Sequence, residues 1–207
     1  MNNLNIPQSS QKRIVVIGCG FAGLNLVKKL KDSPFQVVMI DKHNYHTFQP
    51  LLYQVSTAAI EPDSIAQPIR NLYAGQKNFY YRMAIAEKID SASSILHTNI
   101  GTLPYDYLII ATGSKTNYFG NKEIEEAAIP MKSVPEALNL RSIILQSFEA
   151  ATLTSDIEER KRLMNFVIVG AGPTGVELAG ALAELKNHVL PKDYPELNFK
   201  RMSIYLL

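Results

Sequence analysis

Short runs of β-branched and apolar residues alternate along the chain with segments whose apolar positions recur at helical spacing. Ile14–Ile17 has no polar break, the mark of a strand buried on both faces. In Phe21–Lys31, Leu24, Val27 and Leu30 fall on one helical stripe, and Asp32-Ser33-Pro34 stops it. Val37–Ile40 predicts a second buried strand with Asp41 at its carboxyl end. His43–Tyr73 is rich in Pro, Gln and Tyr, and Pro62-Asp63-Ser64 predicts the start of a helix running towards Leu72. Phe79–Ile89, Ile95–Thr98 and Tyr107–Ile110 read as strands, with turns at Asp90-Ser91 and Gly101. Lys115–Pro130 is a polar connection. Ser133, with Pro135 in the first turn and Glu136 three residues on, opens a long helix, and a shorter charged helix covers Ser155–Arg162.

The opening theme then returns. Phe166–Val169 predicts a strand, followed by a glycine turn, a helix from Thr174 to about His188 and a strand at Met202–Leu207. This two-fold repeat, about 150 residues apart, predicts an α/β fold. Its first part is a Rossmann-like domain with a parallel sheet and a small β-meander, and its second is the start of another Rossmann-like domain. With 46% hydrophobic residues the chain can bury a core. A net charge of +2, spread rather than clustered, offers nothing to nucleic acid. Cys19 is the single cysteine, so an internal disulfide and a thiol relay within the chain are excluded. No run reaches the ~18 apolar residues of a spanning helix. Residues 1–11 are polar and are expected to form a flexible arm.

Two glycine motifs carry the chemistry. Gly18-Cys19-Gly20-Phe21-Ala22-Gly23 follows a strand and opens a helix. A pyrophosphate needs backbone N–H groups aimed at it and the positive end of a helix behind them. Gly18 permits the tight turn, Gly20 lets backbone approach the phosphates, and Gly23 lets helix lie close on strand. Asp41 stands near the offset of an acid that binds ribose hydroxyls. Gly170-Ala171-Gly172-Pro173-Thr174-Gly175 repeats the arrangement, and its own ribose acid is expected after Leu207, leaving NADH versus NADPH preference open. Tyr107–Ile110 ends in Ala111-Thr112-Gly113, which returns a strand to the sheet and brings those three residues near the phosphates.

These motifs together resemble flavoproteins with two dinucleotide-binding domains, in the pyridine nucleotide-disulfide oxidoreductase superfamily. The closer resemblance is to type II NADH dehydrogenases, the single-chain NADH:quinone oxidoreductases. It runs from about Lys12 to Leu207 and includes His43-Asn44-Tyr45-His46-Thr47-Phe48-Gln49-Pro50-Leu51-Leu52-Tyr53, Ala128–Ser133 and Gly172–Glu184. Cys19 stands where a glycine is more usual, and Asp41 where Glu is more frequent. The resemblance implies FAD and NADH as cofactors, quinone as electron acceptor and a peripheral place on the cytoplasmic face of the membrane. The membrane would be reached through a C-terminal part not in this chain, and a homodimer is possible. It implies an FAD-binding domain over 12–130, connecting helices over 131–162 and the start of an NAD(H)-binding domain over 163–207. This sequence would then lack the rest of that domain, a second Gly-Asp motif and much of the quinone site. The chain alone would be soluble, and a nucleotide-binding fragment without turnover, or a soluble reductase of a small redox protein, are the competing readings.

The resemblance also implies roles that compete with plainer ones. Pro50 and Leu51 either flank the flavin ring or only shape a loop. Lys42 faces an adenosine phosphate or ribose, or only solvent. Ala84 (or Ala86) passes near adenine or is a plain strand residue. Glu177 either shapes hydride and proton transfer or closes a capping box with Thr174. Cys19 reads as a small turn residue rather than a reactive thiol. His43 and His46 have no acidic or cysteine partner at ligand spacing, so loop or flavin-side packing is expected and no metal.

Overall fold

The computed structural model describes residues 4–207. In chain order the first elements are β1 (Arg13–Ile17), α1 (Phe21–Lys29), β2 (Gln36–Asp41), β3 (Tyr45–Thr47), α2 (Leu52–Ser56), β4 (Ala66–Pro68), α3 (Ile69–Leu72) and β5 (Phe79–Met83). Then come β6 (Ala86–Asp90), β7 (Ile95–Thr98), β8 (Gly101–Pro104), β9 (Tyr107–Ile110), α4 (Lys122–Ala127), α5 (Val134–Leu153) and α6 (Ile157–Leu163). The last are β10 (Asn165–Ile168), α7 (Pro173–Glu184), α8 (Leu190–Asp193) and β11 (Ser203–Leu206). They form two compact units. One runs to Thr47 and from Ala66 to Lys115; the other comprises Phe48–Ile65 and Thr116–Leu207.

The first unit is built on a parallel sheet in the order β5-β2-β1-β9. Alternate residues of the central strands feed two different cores, which is why their sequence shows no polar positions. Ile14, Val16, Val37 and Met39 pack with Leu24 and Val27 of α1 and with Ile69 and Tyr73. Val15, Ile17, Val38 and Ile40 pack on the other side with Leu96 and Leu103 of the antiparallel meander β6-β7-β8. Leu4 and Ile6 are buried in this second cluster too, so a stretch that is polar by composition contributes two core side chains.

Three predicted elements are differently cut. Phe79–Ile89 is two strands in two sheets. Ala84 gives its N–H to the Asp41 carbonyl, whereas Ile85 exchanges bonds with Asn99 beside the meander. The predicted helix from Pro62 is a single 3₁₀ turn, Pro62–Ser64, followed by β4. Pro68 disfavours helical backbone at Gln67, which instead pairs with His46 of β3. The polar connection 115–130 contains α4, capped by Asn121.

In the second unit, β10 and β11 pair in parallel. Phe148 of α5 is fully buried, with the rings of Phe166, Tyr194 and Phe199 at centroid distances of 5.8, 5.8 and 5.7 Å. Ser133 caps α5 by accepting the Glu136 N–H at 3.4 Å, as the start signature predicts, while the Glu136 carboxylate accepts the N–H of Lys132 at 2.8 Å, one residue before the N-cap. α7 ends earlier than predicted, passing through a π turn at Leu185–Val189 into α8. Pro191 is the physical reason: it has no N–H to give, and its ring collides with the carbonyl four residues before it.

Candidate functional site

The first site forms where β1 and β9 end side by side. β2 lies on one side of β1 and β9 on the other, so the strand order reverses here, the place where open α/β sheets leave a crevice. Gly18 has φ +101°, and a Cβ on it would stand 2.4 Å from the Ala111 carbonyl oxygen. A Cβ on Gly23 would stand 1.9 Å from the Gly18 carbonyl oxygen. A Cβ on Gly20 would meet nothing within 4 Å. The first and third glycines are thus demanded by the fold, while the second is demanded by nothing in the chain. Gly20, Phe21 and Ala22 are exposed around that open space.

The turn is held from outside. Asp41 accepts the Cys19 N–H at 2.6 Å through one carboxylate oxygen and the His43 N–H at 2.8 Å through the other. Each oxygen keeps a further lone-pair direction. Tyr81 donates its hydroxyl to the His43 carbonyl at 2.7 Å, and burial pushes that hydroxyl up to about 12. Cys19 is 2% exposed, and burial pushes its thiol up to about 11, so it is a packed turn residue. Lys42, Thr112 and Gly113 are exposed, with Gly113 at φ +69°. Ala84 is buried and packs in the core beside the meander, and its N–H is committed to Asp41.

The second unit repeats the geometry at the end of β10. Gly170 has φ +114°, Gly172 has open space, and a Cβ on Gly175 would stand 2.0 Å from the Gly170 carbonyl oxygen. Pro173 and Thr174 are exposed beside it. Gly172 is the N-cap of α7 and Pro173 its first residue, so Thr174 already lies within the helix. The capping box between Thr174 and Glu177 therefore does not form. Proline, with preset φ and no N–H, starts the helix two residues too early for it. Glu177 is exposed. Pro50 is exposed in the 3₁₀ turn Gln49–Leu51, which leads directly into α2. α2 packs on α5 and on α7, the helix that leaves the second glycine turn.

Both glycine turns fit an anionic ligand by the same test. α4, α5 and α6 have their first amides taken by Asn121, Ser133 and Asp156, with acidic residues in the first turn. α1 and α7 have no side-chain cap and no acid in the first turn. Their positive ends face the open spaces at Gly20 and Gly172 with no charge from their own first turns to offset them. Among the described residues no three His, Cys, Asp or Glu side chains are placed to hold a metal ion, and no helix is long and apolar enough to cross a membrane.

Sequence reasoning missed the second ring of support around the first turn. His46 and Tyr81 act through contacts 27 and 38 residues apart in sequence, for which spacing gives no signal.

The family model for pyridine nucleotide-disulphide oxidoreductases matches residues 12–193. The type II NADH:quinone oxidoreductase Ndh of Mycobacterium tuberculosis is 43% identical over 94% of this chain and 43% of that protein. The external alternative NAD(P)H-ubiquinone oxidoreductase B3 of Arabidopsis thaliana mitochondria is 36% identical over 94% of this chain and 36% of that protein. The structure of NDH2 from Plasmodium falciparum in complex with NADH superposes with a TM-score of 0.88 at 29% identity, covering 95% of this chain and 41% of that one. The chain spans less than half the length of these relatives.

Proposed function

Since the chain belongs to the pyridine nucleotide-disulphide oxidoreductase family, we propose that its first glycine turn holds FAD and its second holds NADH, within an NADH:quinone oxidoreductase. Hydride would pass from NADH to FAD, and electrons on to a quinone. FAD, when bound, supplies a hydride acceptor that can release electrons singly or in pairs. The carrying observation is the pair of open second glycines, Gly20 and Gly172, each before an uncapped helix end.

The residues divide the work as follows. The amides of Gly20, Phe21 and Ala22 take the FAD pyrophosphate, and Ala111, Thr112 and Gly113 border it. Asp41 stiffens the turn and uses its remaining lone pairs on ribose hydroxyls, with Lys42 beside it. Of Ala84, only its backbone carbonyl has anything to offer an adenine. Pro50 and Leu51 would flank the flavin ring. Gly170, Gly172, Pro173, Thr174 and Gly175 hold the nicotinamide dinucleotide, and Glu177 shapes hydride and proton transfer. The domain assignment proposed with this is FAD binding over 12–130, connecting helices over 131–162 and nicotinamide binding from 163. A peripheral place on the membrane and a homodimer belong to the same proposal. Within this chain no thiol relay is available, because its single cysteine is buried.

The test is to purify the chain with FAD and record its visible spectrum before and after NADH. Retained flavin bands that bleach support the reading, and a protein that retains flavin but does not bleach is a binding fragment without turnover. A chain that retains no flavin and has no measurable affinity for FAD refutes the assignment of the first turn.

A further inference from the structure

His46 is 6% exposed on β3, and its Nδ1 lies 2.6 Å from the Cys19 carbonyl oxygen. A carbonyl oxygen only accepts, so Nδ1 carries the proton and donates it. The ring also stands edge-on to Phe21, at 5.4 Å between centroids and 77° between planes. Position 46 is fixed in turn by its pairing with Gln67 of β4. Cys19 is therefore gripped at both polar ends: Asp41 takes its N–H and His46 takes its carbonyl.

The peptide linking Cys19 to Gly20 is planar and trans, so its C=O and N–H point in opposite directions. Pulling the Cys19 carbonyl towards His46 turns the Gly20 N–H the other way. Gly20 is the residue with open space around it and the N-cap of α1. Without the His46 bond this peptide is free to flip, because glycine tolerates either orientation. A flipped peptide presents a carbonyl oxygen to the phosphates in place of an N–H.

We infer that His46 is a positioning residue for pyrophosphate binding: it locks the Cys19–Gly20 peptide so that the Gly20 amide faces the anion. The inference rests on the FAD reading of the first turn. The chemistry predicts a dependence on phosphate rather than on the flavin ring or adenine, since only the phosphates meet this amide.

The experiment measures FAD, ADP and adenosine affinity of the 207-residue chain by equilibrium dialysis, with His46→Phe, His46→Asn and His46→Gln. The Asn amide nitrogen can take the place of Nδ1, whereas the longer Gln amide sits nearer the Nε2 position. Binding of FAD and ADP should weaken at least tenfold in His46→Phe and His46→Gln, and return to within threefold of the parent in His46→Asn. Adenosine affinity should stay unchanged throughout. The two amide variants burden the fold alike, so their contrast survives even if His46→Phe does not fold. Equal FAD affinity in the parent, Asn and Gln chains would overturn the inference and leave the FAD reading intact, as would equal losses for adenosine and ADP. A parent chain that binds neither FAD nor ADP would overturn both.

Discussion

Gly23 and Gly18 approach so closely that a Cβ on the first would lie 1.9 Å from the carbonyl oxygen of the second, while Gly20 between them has no neighbour within 4 Å of its own would-be Cβ. Alanine is therefore expected to act in opposite ways at neighbouring positions. Gly23→Ala and Gly175→Ala should cost at least about 2 kcal/mol in urea unfolding, because backbone must move. Gly20→Ala and Gly172→Ala should change stability by no more than about 0.5 kcal/mol. They should nevertheless weaken FAD and NADH binding, respectively, at least tenfold. Stability and ligand titrations on the four variants check this.

Asp41 is expected to matter to the fold as well as to ligand. Asp41→Ala strands the Cys19 and His43 amides, and bonds to a charged acceptor put the loss at about 2 kcal/mol or more. Asp41→Asn keeps one accepting oxygen and should fall between. Urea midpoints without any ligand separate this from ribose binding.

Alkali should destabilise the chain through Cys19. The folded thiol is pushed up to about 11 by burial, against 9.0 for a free one. Between these values the unfolded state has lost a proton that the folded state keeps, so stability falls as pH rises through that window. Cys19→Ala should flatten the fall from pH 9.0, leaving the Tyr73 and Tyr81 hydroxyls, both raised by burial from 10.0, to lower stability from about pH 10 upwards. At pH 8 only about a thousandth of the native thiol is ionised, so alkylation should be slow until urea is added.

Glu177→Gln should separate surface from chemistry. The side chain is exposed and closes no cap, so unfolding should shift by less than about 0.5 kcal/mol. NADH-dependent bleaching of the flavin should slow about tenfold or more if the carboxylate assists proton movement. Unchanged bleaching at unchanged stability would leave Glu177 a surface residue.

Much of the fold was legible because its signals are local. Ile14–Ile17 and Val37–Ile40 show their burial on both faces directly in composition, and Ser133 with Glu136 announces α5 within four residues. The elements that were misjudged depend on partners. Phe79–Ile89 is uniformly strand-like, and only pairing with β2 on one side and with β7 on the other divides it. Residues 48–65 look like one loop with their neighbours, yet they belong to the second unit, where α2 packs on α7 and Glu61 meets Arg141 at 3.5 Å.

The sequence by itself determined the two glycine turns, the strands before them and the helices behind them, because a residue with positive φ or without a Cβ is needed at fixed positions within a few residues. Tertiary structure alone decided which groups hold those turns still. Asp41 and His46 bond Cys19, Ala111 bonds Ile17 just before the turn, and Tyr81 supports Asp41's neighbour His43; these groups come from separate strands or strand ends, and their bonds form only once the parallel sheet and the β3-β4 pair have brought those strands together.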